Sequence, residues 1–146
     1  ADVIVSAISP RNGGDPVAEM AAFGGAAMTA AKAAGKRLVM VGGAGSLNLP
    51  DGSPVLPHVP EMYRPEAAGM KAVYEKLKGS DLDWTFFAPA GLIQPGERTG
   101  VFRLGKDVLV SAADGSSTIS AEDYAVAMVN ELEAPANRRS IMTIGY

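Results

Sequence analysis

The chain has 146 residues, no cysteine, a formal net charge of −3, and 47% hydrophobic against 20% charged residues. That length suits one domain, and the composition is too apolar for disorder. The missing cysteines exclude a disulfide scaffold and any cysteine-ligated zinc or iron–sulfur site, and a slightly acidic chain without a basic run argues against a nucleic-acid partner. Residues 2–8, DVIVSAI, already read as an apolar strand of the kind covered on both faces in a parallel sheet. The chain is thus expected to begin in mid-sheet. The turn residues Pro10 to Gly14 follow, then Asp15-Pro16 as a helix N-cap with proline at the first helical position. That spacing predicts a helix over 17–34, stopped by Gly35. The segment carries Glu19 and Lys32 and is mostly alanine and glycine, which suits a tightly packed helix rather than a membrane span. With no signal-peptide pattern at the start, the expected location is the cytoplasm.

Leu38 to Val41 reads as a second strand, closed by Gly42-Gly43-Ala44-Gly45. Residues 46–60 carry Pro50, Pro54, Pro57 and Pro60 without periodicity, and a loop of that length is commonly functional. A second helix is expected from near Pro65 to Lys78, a third strand over 83–88, and a hairpin over 100–110 around Gly105-Lys106-Asp107. Ser120-Ala121-Glu122-Asp123 has the shape of a capping box and opens a helix through Leu132. Arg139 to Ile144 is a last strand. Strands alternating with helices in this way predict an α/β fold: a doubly wound parallel sheet with helices on both faces.

In such sheets ligands bind beyond the carboxyl ends of the strands. Three of those ends are built of small residues: Ser6-Ala7-Ile8, Gly42-Gly43 with Ser46, and Ala88-Pro89-Ala90. One such end fits a tight turn equally well; three in one sheet favour close approach of a flat ligand to the backbone. No G-x-G-x-x-G and no phosphate-binding P-loop occurs, and Gly42 to Gly45 does not open a helix. The Ser46 hydroxyl can bond a substrate carbonyl or a local turn. Tyr63 and Lys71 can act as phenol and ammonium in proton transfer, or lie as two surface residues eight positions apart. His58, the single histidine, sits in the proline-rich loop as a proton donor or a solvated side chain. The carboxylates show no metal-ligand spacing, so no metal is expected.

The succession VIVSAIS, KRLVMVGGAGSL, DLDWTFFAPAGLIQPGERTG and TISAEDYAVAMVNELE resembles the atypical short-chain dehydrogenase/reductases. Within them it is similar to the NAD-dependent epimerase/dehydratase-like and NADH-flavin reductase branch, and to NmrA-like and biliverdin-reductase-B-like proteins. The resemblance implies a Rossmann-type sheet in which residues 1–8 are the fourth strand. Residues 1–146 would then be the C-terminal part of a single NAD(P)-binding domain, lacking its first three strands and Gly-rich turn. It implies NADP or NAD as cofactor. Ser6, Ala7 and Ile8 would lie along it, Gly42 and Gly43 at its nicotinamide end, Ala88, Pro89 and Ala90 over the ring, and Ser46 in the place of the active-site serine. Lys71 falls near the lysine of the family's Y-x-x-x-K, but residue 67 is alanine and Tyr63 lies one turn early.

The expected activity is hydride transfer to a flavin, quinone or similar acceptor. A non-catalytic redox-sensing regulator and a sugar-nucleotide epimerase or dehydratase are the alternatives. The expected partners are a small-molecule acceptor and an N-terminal half or another chain that completes the sheet. A homodimer through the first two helices is compatible with the pattern, and neither nucleic acid nor membrane is expected.

Overall fold

The computed structural model describes residues 1–146. The elements run β1 (Val3–Ser6), α1 (Pro16–Ala34), β2 (Arg37–Val41), α2 (Arg64–Lys78), β3 (Trp84–Ala88), β4 (Leu92–Gln94), β5 (Arg103–Gly105), β6 (Thr118–Ser120), α3 (Ala121–Glu133) and β7 (Ser140–Gly145). Short 3-10 turns at Ala44–Ser46, Leu56–His58 and Glu61–Tyr63 interrupt the long loop between β2 and α2. Five strands form one sheet in the order β1-β2-β3-β7-β5, parallel except for β5 at the edge. The expected α/β architecture is therefore the observed one.

The helix boundaries follow from local chemistry. Asp15 accepts a hydrogen bond from the Val17 N–H at 3.0 Å and caps α1, while Gly35 ends it with φ +61°, a left-handed conformation that costs glycine little. Ser120 accepts from the Asp123 N–H at 3.0 Å and caps α3. The alanine and glycine content of α1 has a packing cause. A Cβ on Gly24 would lie 2.7 Å from a Val73 methyl carbon, and one on Gly69 would lie 3.0 Å from the Pro16 carbonyl. The two helices touch at their glycines.

Side chains on the central strands alternate between two cores, as the period of a strand requires. Leu38, Met40, Trp84 and Phe86 join α1 and α2 on one face; Val39, Phe87, Met142 and Ile144 join α3 on the other. Phe86 and Phe87 are both fully buried, and burial of such a side chain contributes about 1.5–3 kcal/mol. Phe87 stacks on Tyr124 with centroids 4.2 Å apart; the Tyr124 hydroxyl donates to the Phe87 carbonyl at 2.6 Å, and burial pushes that phenol's pKa up.

The expected hairpin over 100–110 does not form. Its alternation of apolar and polar residues is satisfied differently: β5 adds antiparallel to β7, with Gly105 opposite Thr143, and Val110 packs where a Cβ on Gly145 would sit, at 2.9 Å. Val108 then bridges to Asn48 in the long loop. The strands β4 and β6 pair in parallel as a separate two-stranded ribbon, each only three residues long.

Two buried polar networks hold the ends of this sheet. At the start of β2, the guanidinium of Arg37 pairs with Glu131 of α3 and donates to Thr85 Oγ1 at 2.6 Å. Glu131 also accepts from the Asn137 N–H at 3.0 Å and side-chain amide at 2.8 Å, and from the Ala136 N–H. Burial opposes its ionisation, but the Asn137 bonds, then Arg37, outweigh it and keep its pKa below the ordinary value. At the opposite end Asp123, buried at the start of α3, accepts from Thr99 Oγ1, from the Gly100 N–H at 2.8 Å and from the Tyr146 hydroxyl at 2.7 Å. Its carboxylate therefore does not reach back to the Ser120 N–H as a capping box would; the Tyr146 hydroxyl takes that N–H. Burial again opposes ionisation, and the bonds from Thr99, Tyr146 and the Gly100 N–H outweigh it, holding the pKa at about 2 against an ordinary 3.8.

Two predictions follow from these networks. Arg37→Met should destabilise the fold by about 3–5 kcal/mol, because it leaves the Glu131 charge buried and short of a partner. Combined with Glu131→Gln, the loss in denaturant unfolding should fall below the sum of the two single losses; strict additivity would disprove the coupling. For Asp123, a depressed folded pKa means stability fully present above pH 3.8 and lost as pH falls toward about 2. Asp123→Asn should be less stable than the parent at neutral pH, with the gap closing between pH 4 and pH 2; a gap independent of pH would contradict the assignment.

Candidate functional site

The carboxyl ends of β1, β2 and β3 lie side by side. Ser6 is buried at the end of β1, and Ala7 and Ile8 beyond it are exposed. After β2 the chain passes through Gly42, whose N–H donates to the Phe87 carbonyl at 2.8 Å, and enters the 3-10 turn Ala44–Ser46. A Cβ on Gly42 would lie 2.1–2.6 Å from carbons of the Phe86 ring, so only glycine fits there. Gly43 rests on Met70 of α2, and Gly45 on Ala67, where an added Cβ would stand 2.9 Å from the alanine methyl. The turn is thus pressed between β3 and α2. Ser46, at its end, is 6% exposed, and its hydroxyl is buried without a hydrogen-bond partner. An orphaned hydroxyl costs about 1–3 kcal/mol and asks for an explanation.

At the end of β3, Ala88, Pro89 and Ala90 are all buried; Ala88 belongs to the α1–α2 core and Ala90 to the α3 core. Their small side chains let the chain cross from one face of the sheet to the other. Tyr63 stands at the start of α2 with 52% of its surface exposed, whereas Lys71, two turns on, is half-buried and pairs with no carboxylate. Along a helix their separation is about 12 Å. Ser46, Gly42 and Gly43 are brought together around the 3-10 turn; Tyr63 and Lys71 are not brought to each other. His58 is exposed, and in the same loop the Ser53 hydroxyl and N–H both donate to Asp51, which lowers its pKa.

Several contacts in this region carry no sequence signal. Glu66 on α2 accepts from Ser9 Oγ at 3.0 Å and pairs with Arg11 at 3.7 Å, which ties the loop after β1 to α2. Thr99, Asp123 and Tyr146 pin the exposed segment 95–101 to the start of α3 at the same end of the sheet. Their partners lie more than twenty residues apart, out of reach of any local pattern. No three or more of the His, Asp and Glu side chains gather as a metal site, and no helix is long and apolar enough to cross a membrane.

Two features meet here: small residues at the three strand ends, and a buried hydroxyl with both donor and acceptor capacity free. The chain is 38% identical over 114 residues to the uncharacterised protein YwnB of Bacillus subtilis, an alignment that covers 74% of this chain and 54% of the relative. It is similar in structure to a predicted epimerase of Bacteroides thetaiotaomicron, with a TM-score of 0.90 and 38% identity over 100% of this chain and 68% of that one. It is also similar to a predicted NADH-flavin reductase of Streptococcus pneumoniae, with a TM-score of 0.83 and 27% identity over 99% of this chain and 71% of that one. The chain therefore spans about half the length of the curated relative and about seven-tenths of the two solved structures. Residues 1–135 match the family model described as NAD(P)H-binding, and the chain belongs to that NAD(P)H-binding family.

Proposed function

We propose that the protein is an NAD(P)H-dependent oxidoreductase that passes hydride to a flavin, a quinone or a similar conjugated acceptor held beneath the 46–60 loop. The observation that carries this reading is the buried, unpartnered Ser46 hydroxyl at the carboxyl end of β2, set among small residues. Such a hydroxyl can orient a polar atom of a bound ring, and Ala7 and Gly43 leave the backbone open to a flat one. When bound, the nicotinamide supplies the hydride, two electrons with one proton, and solvent supplies the balancing proton. The chain's own share is positioning: Gly42 and Gly43 keep the floor low, Ser46 orients, and Glu66 holds the loop after β1 against α2. Work of that kind rests on juxtaposition and does not require a general acid at residue 67.

We further propose that the rest of the dinucleotide site, with its pyrophosphate-binding turn, joins at the unpaired edge of β1, from another part of the polypeptide or from another chain. Val5 of that edge strand is 45% exposed, and an uncovered apolar parallel edge otherwise invites aggregation. Ala67 favours one second reading, a regulator that binds NAD(P) and senses its redox state without turnover. It counts against a sugar-nucleotide epimerase or dehydratase that relies on the family tyrosine.

Oxidation of NADH and NADPH by the full-length protein should depend on added FMN or quinone. Dinucleotide binding by calorimetry with no turnover on any such acceptor would select the regulator instead. Ser46→Ala should lower kcat/KM about tenfold. Its melting midpoint should hold or rise, because the mutation removes an unsatisfied buried hydroxyl. A lower midpoint with unchanged kinetics would make Ser46 purely structural.

A further inference from the structure

We infer that residues 56–63 form a flap over the turn that carries Ser46, latched by Arg64, and that the flap lifts before any ligand reaches the Ser46 hydroxyl. That hydroxyl has no hydrogen-bond partner, yet it is sealed from solvent. A group that water cannot touch is closed to a larger ligand. The hydroxyl therefore serves a bound ring only after something beside it moves. What the opening serves rests on the hydride transfer proposed above; the opening itself follows from the burial.

Most of what surrounds the turn is fixed. Gly42 is wedged against the Phe86 ring and donates to the Phe87 carbonyl, and Ala67 is part of α2. The first stretch of the long loop is fixed as well. Leu47 and Val55 are buried, and the Val55 N–H donates to the Leu47 carbonyl at 3.0 Å. Between them Asn48 is bonded on both sides: its N–H donates to the Asp107 carbonyl at 2.8 Å, and its carbonyl accepts from the Leu109 N–H at 2.8 Å.

Residues 56–63 are held differently. None of them is buried, and Met62 and Tyr63 are 76% and 52% exposed. Leu56 and Val59 close on the turn, 3.3 and 3.6 Å from where a Cβ on Gly45 would stand. The backbone bonds are local: the His58 N–H donates to Val55, the Val59 N–H to Leu56 and the Tyr63 N–H to Pro60. The side chain that ties the segment down is Arg64. Its guanidinium donates to the Val59 carbonyl at 3.0 Å and to the Pro57 carbonyl at 3.4 Å, and it forms no ion pair. Segments with few buried contacts and few bonds to the rest of a fold open well below the cost of global unfolding. Here such a segment is bounded by buried Val55 on one side and by α2 on the other.

The chain has no cysteine, so Ser46→Cys in the full-length protein gives a thiol whose labelling by iodoacetamide can be read on the peptide that carries residue 46. It should react more slowly than a free thiol. Sub-denaturing urea should barely change the rate, because a local opening exposes little surface. Adding Arg64→Gln should raise the rate about tenfold, and Arg64→Lys should raise it less. In the unsubstituted protein the Val59 amide should exchange with solvent faster than the Val55 amide, a check that holds even where the cysteine variant fails to fold. Labelling as fast as a free thiol, a rate that climbs steeply with urea, a rate indifferent to Arg64→Gln, or equal protection of the two amides would each overturn the flap. None of these readouts needs turnover. The expected results in a protein that reduces neither flavin nor quinone would therefore overturn the hydride transfer and leave the flap standing.

Discussion

Phe86 occupies the space that any side chain on residue 42 would need, with ring carbons 2.1–2.6 Å from where its Cβ would be. This contact joins the two halves of the molecule's logic. The ring is fully buried and belongs to the core made by α1 and α2, so it cannot retreat without opening a cavity. Residue 42 must then be glycine, and the chain leaving β2 can turn flat across the sheet end into Ala44–Ser46. A bulkier residue would lift that turn away from β3 and carry Ser46 with it. Core packing thus sets the floor of the candidate site, and the small residues at the strand ends are the outward trace of large ones inside.

The two buried polar networks solve different problems at the two ends of the same sheet. Arg37, Glu131, Thr85 and Asn137 stitch β2, β3 and the end of α3 together where the strands begin. They also fix the segment that leads into β7, because Asn137 is part of the network. Asp123 acts where the strands end: it gathers Thr99, Gly100 and Tyr146, so one carboxylate orders an exposed loop and the end of the chain. The first network is closed and protein-facing; the second borders the surface where ligands of such sheets bind. Loss of the first should loosen the whole sheet, whereas loss of the second should free a loop at the site's margin.

The parts of this fold that sequence alone made legible are those decided locally. Asp15 and Gly35 mark α1 because a cap is a contact between near neighbours, and Ser120 marks the start of α3 for the same reason. The central strands stand out because strands buried on both faces must be apolar throughout. What stayed hidden was decided at a distance. The alternation in 100–110 suggested a hairpin, but its partner is β7, some forty residues away, and β4 and β6 are too short to carry a pattern. Asp123 looked like half of a capping box, yet its carboxylate answers Thr99 and Tyr146. At the candidate site, Ser46 and the paired glycines could be picked out by residue type, but the orphaned state of the hydroxyl and the contact of Gly45 with Ala67 exist only in three dimensions.

That last contact bears on residue 67, where the Y-x-x-x-K pattern of the dehydrogenases that the sequence resembles would put a tyrosine. The turn at Ala44–Ser46 rests on α2 so closely that a Cβ on Gly45 would already stand 2.9 Å from the Ala67 methyl. Leu56 and Val59 of the long loop close the same spot, at 3.3 and 3.6 Å from that Cβ position. A tyrosine at residue 67 would crowd the turn that carries Ser46. Deep seating of Ser46 and a large side chain at residue 67 thus compete for the same space beside the turn. A site arranged this way trades proton donation for closeness of approach. Under the hydride transfer proposed above, that trade would suit acceptors that take hydride readily once two flat rings are in contact.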